Sequence, residues 1–237
     1  MSYLTVEELR KLRPKDKSSE DGGSRFLGST EPDLALKYLK KDGVILECGS
    51  HLGMFTRILQ ERGFCNIHTL DFYDALVFPE REKLTFHEIN FNKETMPYTQ
   101  EYFDGVTCWG MVEHLENPFH FTREVHRVLK PGGIYIMALP NVFHIMSRLL
   151  FLKKGVFPRW DKNKNHIFIL PRGVFEKTIL RYFDLVETVY TKPAIHHPWL
   201  NWVSSWLPAN EWFGNFIIYV LRWKPFIEIS EKNSPAA

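Results

Sequence analysis

Val44-Ile45-Leu46-Glu47-Cys48-Gly49-Ser50-His51-Leu52-Gly53 is the stretch that decides the fold. Its apolar opening reads as a buried parallel strand. The strand ends on an acid, turns through two glycines and enters a helix. Leu52, Phe55, Ile58 and Leu59 then fall at helical spacing as far as Gly63. Upstream, a helical pattern begins at Glu31 with Pro32 in its first turn, sets Leu34, Tyr38 and Leu39 on one side, and stops at Asp42-Gly43. Downstream the alternation repeats. Strands are expected at 66–70 (ending on Asp71), 84–91, 103–109, 134–139, 185–190 and 216–221. Helices are expected after Asn117-Pro118, with Phe121, Val125, Val128 and Leu129 inward, and over 173–183. Strands alternating with helices of this length predict an α/β fold, a parallel sheet with helices on both faces.

The whole chain fits that reading. Its 237 residues are 44% hydrophobic and 24% charged, enough for one sizeable core. A net charge of +2 argues against a nucleic-acid partner. Cys48, Cys65 and Cys108 form no CxxC pair, so neither a disulfide scaffold nor a structural zinc site is expected, and a reduced cytoplasmic setting is the default. No leader peptide is expected in the polar stretch 1–21. Thr5 and Glu8 make a capping box ahead of a short helix, and residues 14–23 read as a flexible linker. The charge-free run 193–210 is broken by three prolines and cannot span a membrane.

The glycine turn sits where open α/β sheets bind ligands, at the carboxyl end of a strand. Asp71 lies at the end of the next strand, 22 residues past Gly49 and 24 past Glu47, close to the spacing of a ribose-binding acid. That pairing predicts a nucleoside site. A dinucleotide site wants G-x-G-x-x-G, whereas here a carboxylate stands at the turn. It would repel a pyrophosphate but suits a ligand bearing an ammonium and a sulfonium. S-adenosylmethionine carries both.

Further segments line up in order: Met96-Pro97, Phe103-Asp104-Gly105-Val106, Val112-Glu113-His114-Leu115-Glu116-Asn117-Pro118, Arg127-Val128-Leu129-Lys130-Pro131-Gly132-Gly133 and Leu139-Pro140-Asn141. With Leu46-Glu47-Cys48-Gly49, Gly53 and Asp71, they resemble class I S-adenosylmethionine-dependent methyltransferases over residues 30–190. They are similar to the branch that includes ubiquinone-biosynthesis-type and many small-molecule and glycan enzymes. The resemblance implies a Rossmann-like seven-stranded sheet whose last strand is antiparallel. Residues 1–29 would be an N-terminal helix and linker. Residues 30–237 would be the methyltransferase domain, with acceptor-side insertions around 141–172 and 191–215. It also implies how the cofactor sits: Glu47, Gly49 and Gly53 around its methionine part, Asp71 on the ribose, Asn90 and Phe91 flanking adenine, Trp109 and Gly110 facing it from the fourth strand. His51 stands where the family has a central glycine.

Candidate catalytic groups lie beside these. His166, in Asn165-His166-Ile167-Phe168, and His114 are candidates for the base that removes a hydroxyl proton, since an ordinary imidazole pKa of ~6.5 suits that role. Each also has a plain structural reading, as a loop-holding histidine. His144 and the pair His196-His197 are weaker candidates. In ubiquinone-type relatives a Glu three residues before the Glu-His pair helps hold a divalent metal. Gly110 stands there, so no metal is expected. Lys153, Lys154, Arg159, Lys162 and Lys164 crowd a loop that suits a phosphorylated or carboxylated acceptor. Trp199, Trp202, Trp206, Trp212 and Trp223 form a cluster that packs, covers the acceptor or rests on a membrane through 199–223. The expected activity is methyl transfer to oxygen of a small molecule or glycan. The rival readings are a binding module without catalysis, for which His51 is the hint, and a nicotinamide-dependent oxidoreductase, which the turn disfavours.

Overall fold

The structure is a computed structural model that describes residues 30–77, 79–162, 164–193 and 206–226. The expected helix and linker before residue 30, His196, His197, Trp199 and Trp202 lie outside the described residues. In chain order the elements are α1 (Thr30–Tyr38), β1 (Val44–Cys48), α2 (Met54–Glu61), β2 (Asn66–Asp71), β3 (Thr85–Glu88), β4 (Phe103–Trp109), α3 (Pro118–Val128), β5 (Leu129–Pro140), α4 (Ile145–Lys154), α5 (Arg172–Thr178), β6 (Phe183–Tyr190) and β7 (Phe216–Trp223).

Seven strands form one sheet in the order β3-β2-β1-β4-β5-β7-β6. Pairings from β3 to β5 are parallel, and β7 is antiparallel to both β5 and β6. The order reverses between β1 and β4, which opens a crevice at their carboxyl ends. Side-chain alternation sends successive residues to opposite faces. Ile45, Ile67, Ile136 and Val220 meet Leu34, Ala35 and Leu39 of α1 and Phe55 and Leu59 of α2. Leu46, Leu70, Val106, Met137 and Leu221 meet Phe121 and Val125 of α3 and Phe175 of α5. Thus α1 and α2 cover one face, and α3 and α5 the other.

Local signals explain the boundaries that matter for the site. Asn117 Oδ1 accepts from His120 N at 3.1 Å, and Pro118 takes the first helical position, so α3 starts on a side-chain cap. Arg127 donates to the carbonyls of Tyr98 and Met96 and pairs with Glu124, whose carboxylate accepts from Met96 N at 2.8 Å. This clamp fixes the segment after β3 to α3.

Four expectations are corrected. Strand β3 stops at Glu88, which leaves Asn90 and Phe91 in the turn beyond it. The helix expected over 173–183 ends at Thr178 and continues as a 3-10 turn to Arg181. Lys153 and Lys154 belong to the last turn of α4, in a stretch read as loop. No residue of α4 is buried, so it lacks the inward stripe by which periodicity finds a helix, and Met146, Leu149 and Leu152 are exposed. Trp223 leaves the surface cluster altogether. It lies in β7, stacks on His126 at 5.0 Å and donates to the His126 carbonyl. Trp206 and Trp212 are exposed. No helix among the described residues is long and apolar enough to cross a membrane.

Candidate active site

The first turn is held in left-handed backbone. Gly49 and Gly53 both have φ 78° and His51 has φ 50°. A Cβ on Gly49 would meet Met111 Cγ at 2.9 Å, so glycine is required there by both backbone and space. Gly49 N donates to Leu70 O and Gly53 N to Ser50 O, each at 2.8 Å. The Asp71 carboxylate closes the turn. Its oxygens accept from His51 N and Phe72 N, both at 2.7 Å. His51 therefore sits in the same left-handed region as Gly49 and Gly53, helped by histidine's better tolerance of that region than most residues.

Glu47 points to the α2 face, with Thr69 and Thr107 opposite it in register on the neighbouring strands. It is buried and accepts from the Thr56 hydroxyl. Burial pushes its pKa up to about 8; the Thr56 bond opposes the shift and the Asp71 charge adds to it. A buried acid with one hydroxyl partner has acceptor capacity left for a cation. Ser50 Oγ and Trp109 Nε1 are buried without a hydrogen-bond partner beside the same turn. Trp109 leans on Phe55 of α2 at 4.8 Å, and Gly110 follows with φ 60°. Left-handed backbone, a buried acid and unsatisfied polar atoms at the strand-order switch fit a nucleoside carrying a cationic amino-acid tail.

Asn90 is buried in the turn after β3, its backbone N bonded to Glu94 and its side chain to Asn92 N. The Phe91 ring is 1% exposed, wedged edge-on against Phe72 and Phe121. Phe72, half-buried and adjacent to Asp71, is the more accessible of the two rings. Sequence reasoning passed over it because a lone aromatic after a strand carries no spacing signal.

Across the crevice, the 3-10 turn Val112–His114 gathers the other candidates. The Glu113 carbonyl accepts from Ile167 N at 2.9 Å and Phe168 N at 3.0 Å, while His114 Nδ1 meets Asn165 O at 3.0 Å. These bonds bring His166 to His114, with ring centroids 4.7 Å apart, and Trp160 packs on His166 at 5.2 Å. Glu113 is buried, with Oε2 unsatisfied, and burial pushes its pKa up to about 8. His166 Nδ1 is also buried without a partner. Burial, then the charges of His114, Arg159 and Lys164, push His166 down to about 3, which corrects the expectation of an ordinary imidazole. The sequence argument against a metal counted two neighbouring ligand-type residues. The fold adds a third, because ligand atoms of Glu113, His114 and His166 lie within 4.8 Å of one another. His144 caps α4 through Met146 N at 3.1 Å.

A small apolar cavity of only about 10 Å³ lies between Pro140, Phe143, Trp160 and Phe168, on this acceptor side. A larger one, about 390 Å³, is bounded by Arg57, Glu61, Phe64 and Lys83. It sits at the amino ends of the strands, away from the glycine turn, so the crevice and not the larger cavity marks the site.

The fold and the crevice define a Rossmann-like nucleoside binder of the S-adenosylmethionine type. Comparison with known proteins gives the family. The methyltransferase domain family matches residues 25–217, and the chain belongs to it; this family and fold use S-adenosylmethionine. The chain is 25% identical over 169 residues to an uncharacterized protein of Methanocaldococcus jannaschii, covering 69% of this chain and 65% of that one. It is 28% identical over 151 residues to a ubiquinone biosynthesis O-methyltransferase of Ruegeria pomeroyi, covering 62% and 59%. The chain thus spans less than two thirds of these relatives. In structure it resembles the methyltransferase complexed with the Haloferax volcanii Trm112 activator (TM-score 0.65, 15% identity, 90% and 96% covered). It also resembles an S-adenosylmethionine-dependent methyltransferase of Archaeoglobus fulgidus (TM-score 0.61, 17% identity, 88% and 100% covered).

Proposed function

We propose that this chain methylates an oxygen of a small-molecule or glycan-type acceptor, and that it acts without spanning a membrane. The observation that carries the cofactor half is the left-handed turn at Gly49, His51 and Gly53, tied to Asp71 where the strand order reverses. The rival of an inactive binding module rested on His51, and the turn keeps its glycine geometry despite that residue.

When bound, S-adenosylmethionine supplies an activated methyl group. The protein's own groups do the rest. Asp71 takes the ribose hydroxyls, and the glycine turn lets the backbone come close to the amino-acid tail. Glu47 offers a carboxylate to the ammonium, and Trp109 with Gly110 lines the approach. Phe72, with Asn90 and Phe91 behind it, borders the adenine side. The acceptor hydroxyl comes from the side of His114 and His166. Transfer of the methyl group to its oxygen would leave the hydroxyl proton to be removed. The hydroxyl proton goes to His166, with His114 as the second candidate. A base this weak takes the proton only as the bond forms and the oxygen becomes acidic. Alignment of the reactants supplies most of the acceleration.

Calorimetry with S-adenosylmethionine and S-adenosylhomocysteine on wild type, Asp71→Asn and Asp71→Ala tests the cofactor site. Losing the ribose acceptors should cost about 1–3 kcal/mol of affinity. Unchanged affinity in a folded Asp71→Ala protein overturns the assignment.

A further inference from the structure

Arg159 lies between α4 and α5, in the segment that also carries Trp160 and His166. Its guanidinium stands 4.6 Å over the Phe216 ring, and Nη2 donates to Asn215 Oδ1. Stacking of this kind holds the planar group flat while leaving its edge donors free. One of five N–H groups is engaged by Asn215. Among the described residues no acid forms an ion pair with it within 4.0 Å. Its field reaches Glu113, His144 and His166. Glu113 is the acid among these three, and it stands beyond ion-pair distance of the guanidinium. A half-buried cation without an ion-pair partner is costly and is ordinarily matched by an anion.

We propose that Arg159, seated on Phe216 beside His166 and Glu113, is the floor of an anion subsite that takes a carboxylate or phosphate group of the acceptor. The link to an acceptor rests on the methyl-transfer reading; the anion site itself does not. The same neighbourhood decides between an anion and a divalent cation. Glu113, His114 and His166 have the donor types for a metal, but Arg159 and Lys164 both place positive charge at His166. That field opposes a cation and attracts an anion. The basic residues expected to crowd one loop thus divide: Lys153 and Lys154 end an exposed helix, while Arg159 turns inward.

The test titrates the full chain with inorganic phosphate and, separately, with benzoate, at constant ionic strength, following melting temperature and calorimetric heat. The variants are Arg159→Met, Arg159→Lys and, as a surface-charge control, Lys154→Ala. At least one anion should stabilise wild type saturably, by the usual linkage between ligand and folding. Phosphate alone or benzoate alone identifies the group accepted. Arg159→Met should weaken that binding about tenfold or more, Arg159→Lys less, because a point charge lacks the planar fork, and Lys154→Ala not at all. If Arg159→Met fails to fold by circular dichroism, Arg159→Lys decides, with a several-fold loss expected. Equal midpoints in the folded variants and wild type overturn the proposal, as does the absence of saturable binding by either anion. So does stoichiometric zinc binding that is lost in His166→Ala. S-adenosylmethionine calorimetry on the same proteins separates the two readings. No cofactor binding by wild type sinks methyl transfer and leaves the anion result standing. Cofactor binding with anion binding indifferent to Arg159 sinks the subsite alone.

Discussion

His51 stands in the left-handed region of the backbone, and that conformation has a cost for a residue with a β-carbon. A non-glycine residue in the left-handed region carries ~1–2 kcal/mol of strain. The Asp71 carboxylate, bonded to His51 N, helps hold it there. His51→Gly removes that strain but returns ~0.5–1 kcal/mol of chain entropy to the unfolded state. The expected outcome is a stability within about 1 kcal/mol of wild type, with cofactor affinity equal or higher. A large loss of affinity would mean that the imidazole itself touches the cofactor. Gly53, in the same conformation, has no such support: Gly53→Val should weaken cofactor binding more than it lowers the melting temperature, since the chain there must approach a ligand. A variant that melts far lower but binds normally assigns Gly53 to packing. His166 makes the third case at this scale. Held near pKa 3, it is neutral throughout the working range, so turnover should show no His166 ionisation between about pH 5 and 8. His166→Ala should still lower the rate, by about 10²-fold at most for a base this weak, with cofactor affinity intact. A loss of only a few-fold would leave the proton to water.

The elements that matter most are those that deliver loops to the crevice. Helix α3 does so through Arg127 and Glu124, which clamp Met96 and Tyr98 and so set the path of the chain beyond Asn90. Arg127→Ala breaks two bonds to carbonyls and strips Glu124 of its partner; about 2–3 kcal/mol of stability should go, read by denaturant melts. A change below about 0.5 kcal/mol would show the clamp to be a surface pair. The motif letters Met96-Pro97 and Arg127-Val128 were visible in the chain, but their mutual contact was not, because 31 positions separate Arg127 from Met96. Helix α4 was missed for the opposite reason. It buries nothing, so it leaves no periodic trace in the sequence.

For the whole molecule, two buried acids set the response to pH. Glu47 and Glu113 both titrate near 8 in the folded chain, against 4.5 for the ordinary side chain. Between those values the unfolded state has released protons that the folded state keeps. Their contribution to stability is therefore fully present below about pH 4.5 and is lost as pH rises to about 8. Stability should fall over that window by up to ~4 kcal/mol per group, and Glu47→Gln with Glu113→Gln should flatten the slope. A flat wild-type profile would show that water reaches these carboxylates. A cationic ligand reverses the sense for Glu47. S-adenosylmethionine binding should release a proton and tighten as pH approaches 8, measurable as buffer-dependent heat.

Sequence alone determined the alternation of strands and helices, the strand that ends in Glu47-Cys48-Gly49, and the spacing to Asp71. These are local properties: apolar runs, turn residues and caps act on neighbours a few positions away, and their order along the chain specifies a doubly covered sheet. Tertiary structure alone decided which groups share a crevice and in what charge state. His166 reaches His114 through bonds from the Glu113 carbonyl, 54 positions from Ile167, and Arg159 finds Phe216 across 57. Phe91 sinks into the core while Phe72 stays at the edge. The pKa values of Glu47, Glu113 and His166 move by burial, and burial is a property of the packed chain, since a side chain is desolvated only by what folds against it.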